Sequence, residues 1–196
     1  MTLSPRQVVS TGLFALALAL CALLTPAGVA PAHAASVCSS EKAIWGAREA
    51  GGTFKRGSQL IALPAPYFAD GTAPVMWENN GRLNQRWCML TIIRPGGGFG
   101  VYKFRNVTSG QCLDAKDGAD YRTAVVQLSC SADSSQAWEA VPLRNGSFAL
   151  RNMSGGGQFC LDIINKNTVH GAHLQTWTCS GAWNQAWVVE GFNPNP

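Results

Sequence analysis

The segment CLDIINKNTVHGAHLQTWTCSGAWNQAW, residues 160–187, decides how the rest of the chain is read. It opens on Cys160-Leu161-Asp162, passes through Gln175-Thr176-Trp177-Thr178-Cys179, and closes on Asn184-Gln185-Ala186-Trp187. One step upstream the same order recurs as Cys112-Leu113-Asp114, Gln127-Leu128-Ser129-Cys130 and Ser135-Gln136-Ala137-Trp138. A third version has lost its opening and keeps Trp77 and Asn84-Gln85-Arg86-Trp87. Trp87, Trp138 and Trp187 are separated by 51 and 49 residues, and Cys112 and Cys160 by 48, so the chain is a threefold repeat. Self-similarity at a fixed period is read before any local feature, because it sets the architecture.

Within each unit the pattern is that of short strands. Tyr102 to Val107 and Phe148 to Met153 lead into the Cys-Leu-Asp boxes and alternate apolar with polar residues, as half-buried strands do. Ser109-Gly110 and Ser154-Gly155-Gly156-Gly157 follow as turns. Further strands are expected at Cys-Leu-Asp, at Val125–Leu128 or His173–Trp177, and at the closing Trp, about four in each unit. No segment sustains a 3.6-residue apolar period; only residues 40–50, with Ser40 as cap, suggest a short helix or an irregular entry. Gly96-Gly97-Gly98 lacks the Lys and Ser/Thr of a phosphate-binding loop.

The ends and the charges narrow the setting. Arg6, the apolar run Leu13–Leu24 and Ala32-His33-Ala34 describe a cleaved secretory signal over residues 1–35, too short to span a bilayer. Residues 36–196 are then the mature domain, long enough for one core, with units at about 53–100, 101–146 and 147–191. Without Arg6, 14 basic residues face 11 acidic ones, a net charge of +3. The basic residues form no run, so nucleic acid is not an expected partner, nor is membrane insertion. Asn106-Val107-Thr108, Asn145-Gly146-Ser147 and Asn152-Met153-Ser154 fit the glycosylation acceptor pattern.

Six cysteines remain after Cys21 is removed with the signal, an even number that reads as disulfides in an exported chain. Cys112 and Cys130 lie 18 positions apart and Cys160 and Cys179 lie 19 apart at matching points of two units. Those two bridges leave Cys38 with Cys88. No Cys-x-x-Cys pair supports zinc, and His170 and His173 lack a third partner, so no metal and no cofactor are expected.

Three units closing on Gln-x-Trp, two of them opening on Cys-Leu-Asp, resemble the ricin-type β-trefoil lectins over about Gln59 to Trp187. The resemblance implies an all-β fold, a six-stranded barrel capped by three hairpins, with one potential sugar pocket per lobe. It implies a pocket built from the Asp of Cys-Leu-Asp, a Gln and an aromatic ahead of the second Cys, and the closing Asn-Gln. Sugar chemistry suits such a set: a carboxylate accepts hydroxyl protons, an amide both donates and accepts, and a ring offers its face to C–H groups.

The third unit supplies all five positions, Asp162, Gln175, Trp177, Asn184 and Gln185. The second supplies Asp114, Gln127 and Gln136, with Ser129 in the aromatic position and Ser135 in the Asn position. The first has Trp77, Asn84 and Gln85, with Ala62 and Val75 in place of Asp and Gln. Trp87, Trp138 and Trp187 recur whatever happens to the pocket residues and are read as core. Lys166 and Asn167 are candidate rim contacts.

Catalysis is not expected. A glycosidase needs two carboxylates across one cleft, whereas Asp114 and Asp162 belong to different units, and the cysteines are consumed by bridges. The expectation is a secreted, non-enzymatic lectin whose partner is a carbohydrate of galactose-like type, bound mainly by the third unit. Two alternatives are the cell-binding subunit of a bacterial toxin with a co-secreted protein partner, and a β-trefoil protease inhibitor.

Overall fold

The computed structural model describes residues 41–50, 53–66, 69–92, 100–143 and 146–192, all within one compact unit, His33–Pro196. The expected signal over residues 1–35, Cys38, Ser40 and Asn145 lie outside the described residues. No helix among the described residues is long and apolar enough to cross a membrane.

Thirteen strands follow in order: β1 Glu41–Lys42, β2 Ile44–Ala50, β3 Thr53–Ala62, β4 Val75–Glu78, β5 Trp87–Ile92, β6 Val101–Asn106 and β7 Cys112–Ala115. They continue as β8 Val125–Leu128, β9 Trp138–Pro142, β10 Phe148–Asn152, β11 Phe159–Ile163, β12 Ala172–Thr178 and β13 Trp187–Val189. β5 pairs β6, β6 pairs β9, β9 pairs β10 and β10 pairs β13. The ring closes because β13 pairs β2 while the adjoining β1 pairs β5. Closure leaves this ring without a free strand edge. The remaining strands form three hairpins, β3–β4, β7–β8 and β11–β12. The architecture is a β-trefoil, four strands to a lobe.

The segment 44–50 is strand, not the short helix or irregular entry expected of it. It opens the first lobe nearer the N-terminus than residue 53. Ile44 and Gly46 are buried at the barrel seam, where Gly46 stands opposite Trp187. A Cβ at Gly46 would meet Met76 Cε at 3.0 Å, so a glycine here lets the hairpin and barrel approach. Seven residues interrupted by Gly46 carry little periodicity; pairing on both sides makes the strand.

The recurring tryptophans explain the threefold core. Trp87, Trp138 and Trp187 are fully buried, and each indole Nε1–H donates to a backbone carbonyl of its own lobe, Ile61, Leu113 and Leu161, at 3.1, 3.1 and 3.0 Å. A buried indole N–H needs such a partner. Phe104, Phe148, Leu113, Leu150 and Leu161 fill the space between them.

The three glutamines have an equally regular task. Gln85, Gln136 and Gln185 each end a 3₁₀ turn, accept from a backbone N–H (Asn80, Ser131, Ser180) and donate to a backbone carbonyl (Glu78, Ser129, Thr178). Cys112–Cys130 and Cys160–Cys179 are bridged, each with Cα atoms 5.0 Å apart, and Cys88 is also disulfide-bonded. Asn106 and Asn152 are fully buried and hold the turns after β6 and β10 through their side-chain oxygens. Neither can serve as a glycan acceptor in the folded protein, which removes two of the three acceptor patterns.

Candidate functional site

On β11 and β12 the register sets Asp162 opposite Gln175 and Cys160 opposite Trp177. Because side chains two apart share a face, Asp162, Gln175 and Trp177 point to one side of the hairpin. The 3₁₀ turn Trp183–Gln185 brings Asn184 and Gln185 up beneath them. Gln175 Nε2 donates to Asp162 Oδ1 at 3.0 Å; Asn184 Nδ2 and Gln185 Nε2 donate to Oδ2 at 2.6 and 3.0 Å. All five positions expected of the third unit therefore meet at one hollow of about 340 Å3, whose rim adds Asn165, Lys166, Ser180 and Ala182. Asn167 faces a neighbouring hollow instead, and its Oδ1 accepts from the Val169 N–H.

The electrostatics follow from burial. Asp162 is only 3% exposed, and removal from water raises its pKa above the ordinary carboxylate value. Hydrogen bonds from Gln175 and Gln185, the Lys166 charge and the Asn184 bond act in the opposite direction. A carboxylate has about four acceptor positions, and three amide donors occupy three of them. Oδ1 keeps one for a ligand. Asn184 Oδ1 is buried and accepts no hydrogen bond among the described residues, a state that in a native protein calls for a partner. The Asp162 carboxylate thus keeps an acceptor beside the half-buried ring of Trp177.

The second lobe is built differently. Asp114 is buried, with Ser135 Oγ donating to its Oδ2 at 3.3 Å, and its pKa is raised by burial, opposed by bonds from Gln136 and Ser135. Gln127, expected beside Asp114, lies opposite Leu113; Val126 is the residue opposite Asp114. Gln127 accepts from Ser109 Oγ at 2.7 Å and donates to the Ala69 carbonyl at 3.1 Å. The position matching Trp177 is Leu128, not Ser129, which binds Asp70. One residue of shift flips every side chain to the other face. Counting back from the second cysteine would have found it: Val126 precedes Cys130 by four, as Gln175 precedes Cys179.

In the first lobe Ala62 lies opposite Val75, the two residues read as standing in place of Asp and Gln, and Leu60 lies opposite Trp77. Lacking a carboxylate, Asn84 Nδ2 donates to the Leu63 carbonyl at 2.7 Å. Its hollow of about 290 Å3 has an apolar floor of Ala62, Leu63 and Val75 beside Trp77.

One feature escaped the sequence. Each lobe hands a loop to the next. Gly71 N–H donates to the Gln127 carbonyl, Arg122 N–H to that of Thr176 and Gly171 N–H to that of Met76, at 2.8, 3.0 and 2.9 Å. Through these loops His170 stacks on Trp77 with centroids 5.1 Å apart, and Tyr121 stacks on Trp177 at 4.3 Å.

Residues 83–164 match the family model described as ricin-type beta-trefoil lectin domain-like. The chain has the fold of the ricin-type β-trefoil lectins. A designed threefold symmetric protein, ThreeFoil, is 26% identical, with 67% of this chain and 89% of that one covered and a TM-score of 0.59. The ricin B-like lectin of Macrolepiota procera, solved in complex with lactose, is 16% identical over 76% of this chain and 94% of its own, with a TM-score of 0.57. An exo-beta-1,3-galactanase from Clostridium thermocellum is 21% identical, with a TM-score of 0.63. This trefoil covers 77% of the present chain but spans only 30% of the galactanase. No curated protein matches the chain in sequence.

Proposed function

We propose that the protein is a secreted, non-enzymatic lectin that binds a galactose-like sugar in the third-lobe hollow. The observation that carries this reading is the Asp162 carboxylate, gripped by three amides and left with one open acceptor in the hollow that Trp177 also lines. The open carboxylate acceptor takes a hydroxyl proton, and the indole takes the C–H face of the ring. Ligand hollows run from roughly 300 to 1,000 Å3, so about 340 Å3 suits a single sugar residue. The lactose complex of the Macrolepiota lectin, which shares the fold, supports a galactoside as the first ligand to try.

Among the described residues Asp162 is the one carboxylate lining the hollow, and hydrolysis by paired carboxylates needs two. Binding without turnover follows. Bridged cysteines agree with export. A single shallow site binds weakly, so firm attachment requires several copies engaged together. Calorimetric titration of residues 36–196 with galactose and lactose should show saturable binding that Asp162→Ala removes; no heat with either sugar, and a blank on a broader glycan panel, would defeat the reading.

A further inference from the structure

Resting on that reading, we propose that Tyr121 and Arg122, supplied by the second lobe, form a second subsite outside the third-lobe hollow, which receives the next residue of an oligosaccharide. Neither residue lines the hollow itself. Tyr121 is 53% exposed, and its ring packs over Trp177 with centroids 4.3 Å apart and a 43° tilt, so the exposed part of Tyr121 forms an apolar ledge against the indole that lines the pocket. The Arg122 guanidinium lies over both, 5.3 Å from the Tyr121 centroid and 5.2 Å from that of Trp177.

The loop that carries them is fixed rather than draped. Arg122 N–H donates to the Thr176 carbonyl, Thr176 N–H donates to the Thr123 carbonyl at 2.8 Å, and Thr176 Oγ1 donates to the Asp120 carbonyl at 2.6 Å. The ledge is thus preorganised, which is what a weak sugar contact needs.

Comparison with the sister loops isolates what is special here. The residue at this position has φ of +81° at Gly71 and +86° at Gly171, where glycine is at ease. Arg122 occupies the same left-handed conformation at +62°. A long charged side chain held where both equivalents are glycine is strain retained at a binding surface. What it gains is placement: a fork of five N–H donors hung above two rings, at the exit of a pocket that holds one sugar. Of the residues preceding it, Asp70 in the first-lobe loop contributes no ring, whereas Tyr121 does, as His170 does against Trp77.

A saccharide series tests this on residues 36–196: galactose, lactose and a linear β-1,4-galactotetraose, titrated into wild type, Tyr121→Ala, Tyr121→Phe and Arg122→Gly. Wild type should bind the tetraose about tenfold more tightly than galactose, the scale an added aromatic contact supplies. Tyr121→Ala should bring that ratio close to one, Tyr121→Phe should restore it, and Arg122→Gly, which suits the backbone, should reduce it severalfold without lowering the melting temperature. A wild-type ratio near one overturns the subsite. So does a Tyr121→Ala variant that weakens galactose and tetraose alike, since Tyr121 would then only buttress Trp177. If no sugar binds the wild type, the lectin reading itself has failed.

Discussion

The second and third lobes share almost everything except a working floor. Both have the bridged cysteines, the buried Trp bonded to a carbonyl before the Asp, and the Gln clasping its turn. Yet four residues before the second cysteine, opposite the carboxylate, the third lobe has Gln175 and the second has Val126. In the third lobe Asp162 is met by three amides; in the second, Asp114 keeps a buried oxygen without a partner among the described residues. The comparison separates what the fold requires from what a ligand requires. Struts and clasps recur in every lobe, whereas the floor, the ring and the rim are free to differ.

The largest test of that division is mechanical. Trp187→Ala should cost about 3–5 kcal/mol of stability by opening a cavity in the core, measured by chemical denaturation. Trp177→Ala, which removes a half-buried ring, should cost about 1 kcal/mol or less while lowering galactoside affinity severalfold. Equal losses from the two would erase the distinction between strut and platform. Next in size is the carboxylate: Asp162→Ala should weaken binding by roughly a hundredfold, the worth of hydrogen bonds to a charged group, whereas Asp114→Ala should leave calorimetric binding unchanged.

That division also explains what could be read from the chain. Trp87, Trp138 and Trp187 are legible because the fold demands them three times over, and the cysteine pairs because they recur in two lobes; repetition is a signal that survives in a single sequence. The five positions of the third hollow were legible because they sit at fixed offsets from those anchors. Gln127 misled because residue type was matched without counting from Cys130, and in a strand an offset of one reverses the face. Ile44–Ala50 misled because its strand is imposed by β13 and β3 on either side, a tertiary cause with no local pattern. Tyr121 and Arg122 belong to one repeat in sequence and to the next in space, so no reading of a single unit reaches them.

A graft sharpens the comparison by running it backwards. The first hollow already has Trp77 at 39% exposure, Asn84 and Gln85 in place, and Ala62 facing Val75. Ala62→Asp together with Val75→Gln restores the missing acceptor and one of its donors, while Asn84 and Gln85 stand where Asn184 and Gln185 do. The calorimetric stoichiometry for a simple galactoside should rise from one site to two. Ala62→Asp alone should bind nothing new and should destabilise the fold, because a buried carboxylate without its donors is costly.

The smallest effect is the most diagnostic, because stability and binding should move in opposite directions with pH. Burial raises the pKa of Asp162 above its unfolded value, with the amide bonds and Lys166 only opposing that shift. A raised acid holds its proton more tightly in the folded state than in the unfolded one. Its contribution to stability is therefore fully present below the unfolded value and is lost as pH rises through the folded one. Binding asks for the other form, since a proton on the open lone pair of Asp162 turns the acceptor offered to a sugar hydroxyl into a donor. Galactoside affinity should fall on acidification with a midpoint above the ordinary Asp value of about 3.9. Over that same interval wild type should gain stability relative to Asp162→Asn. If both quantities rose and fell together, the carboxylate would be serving the fold, and the third lobe would differ from its sisters in packing alone.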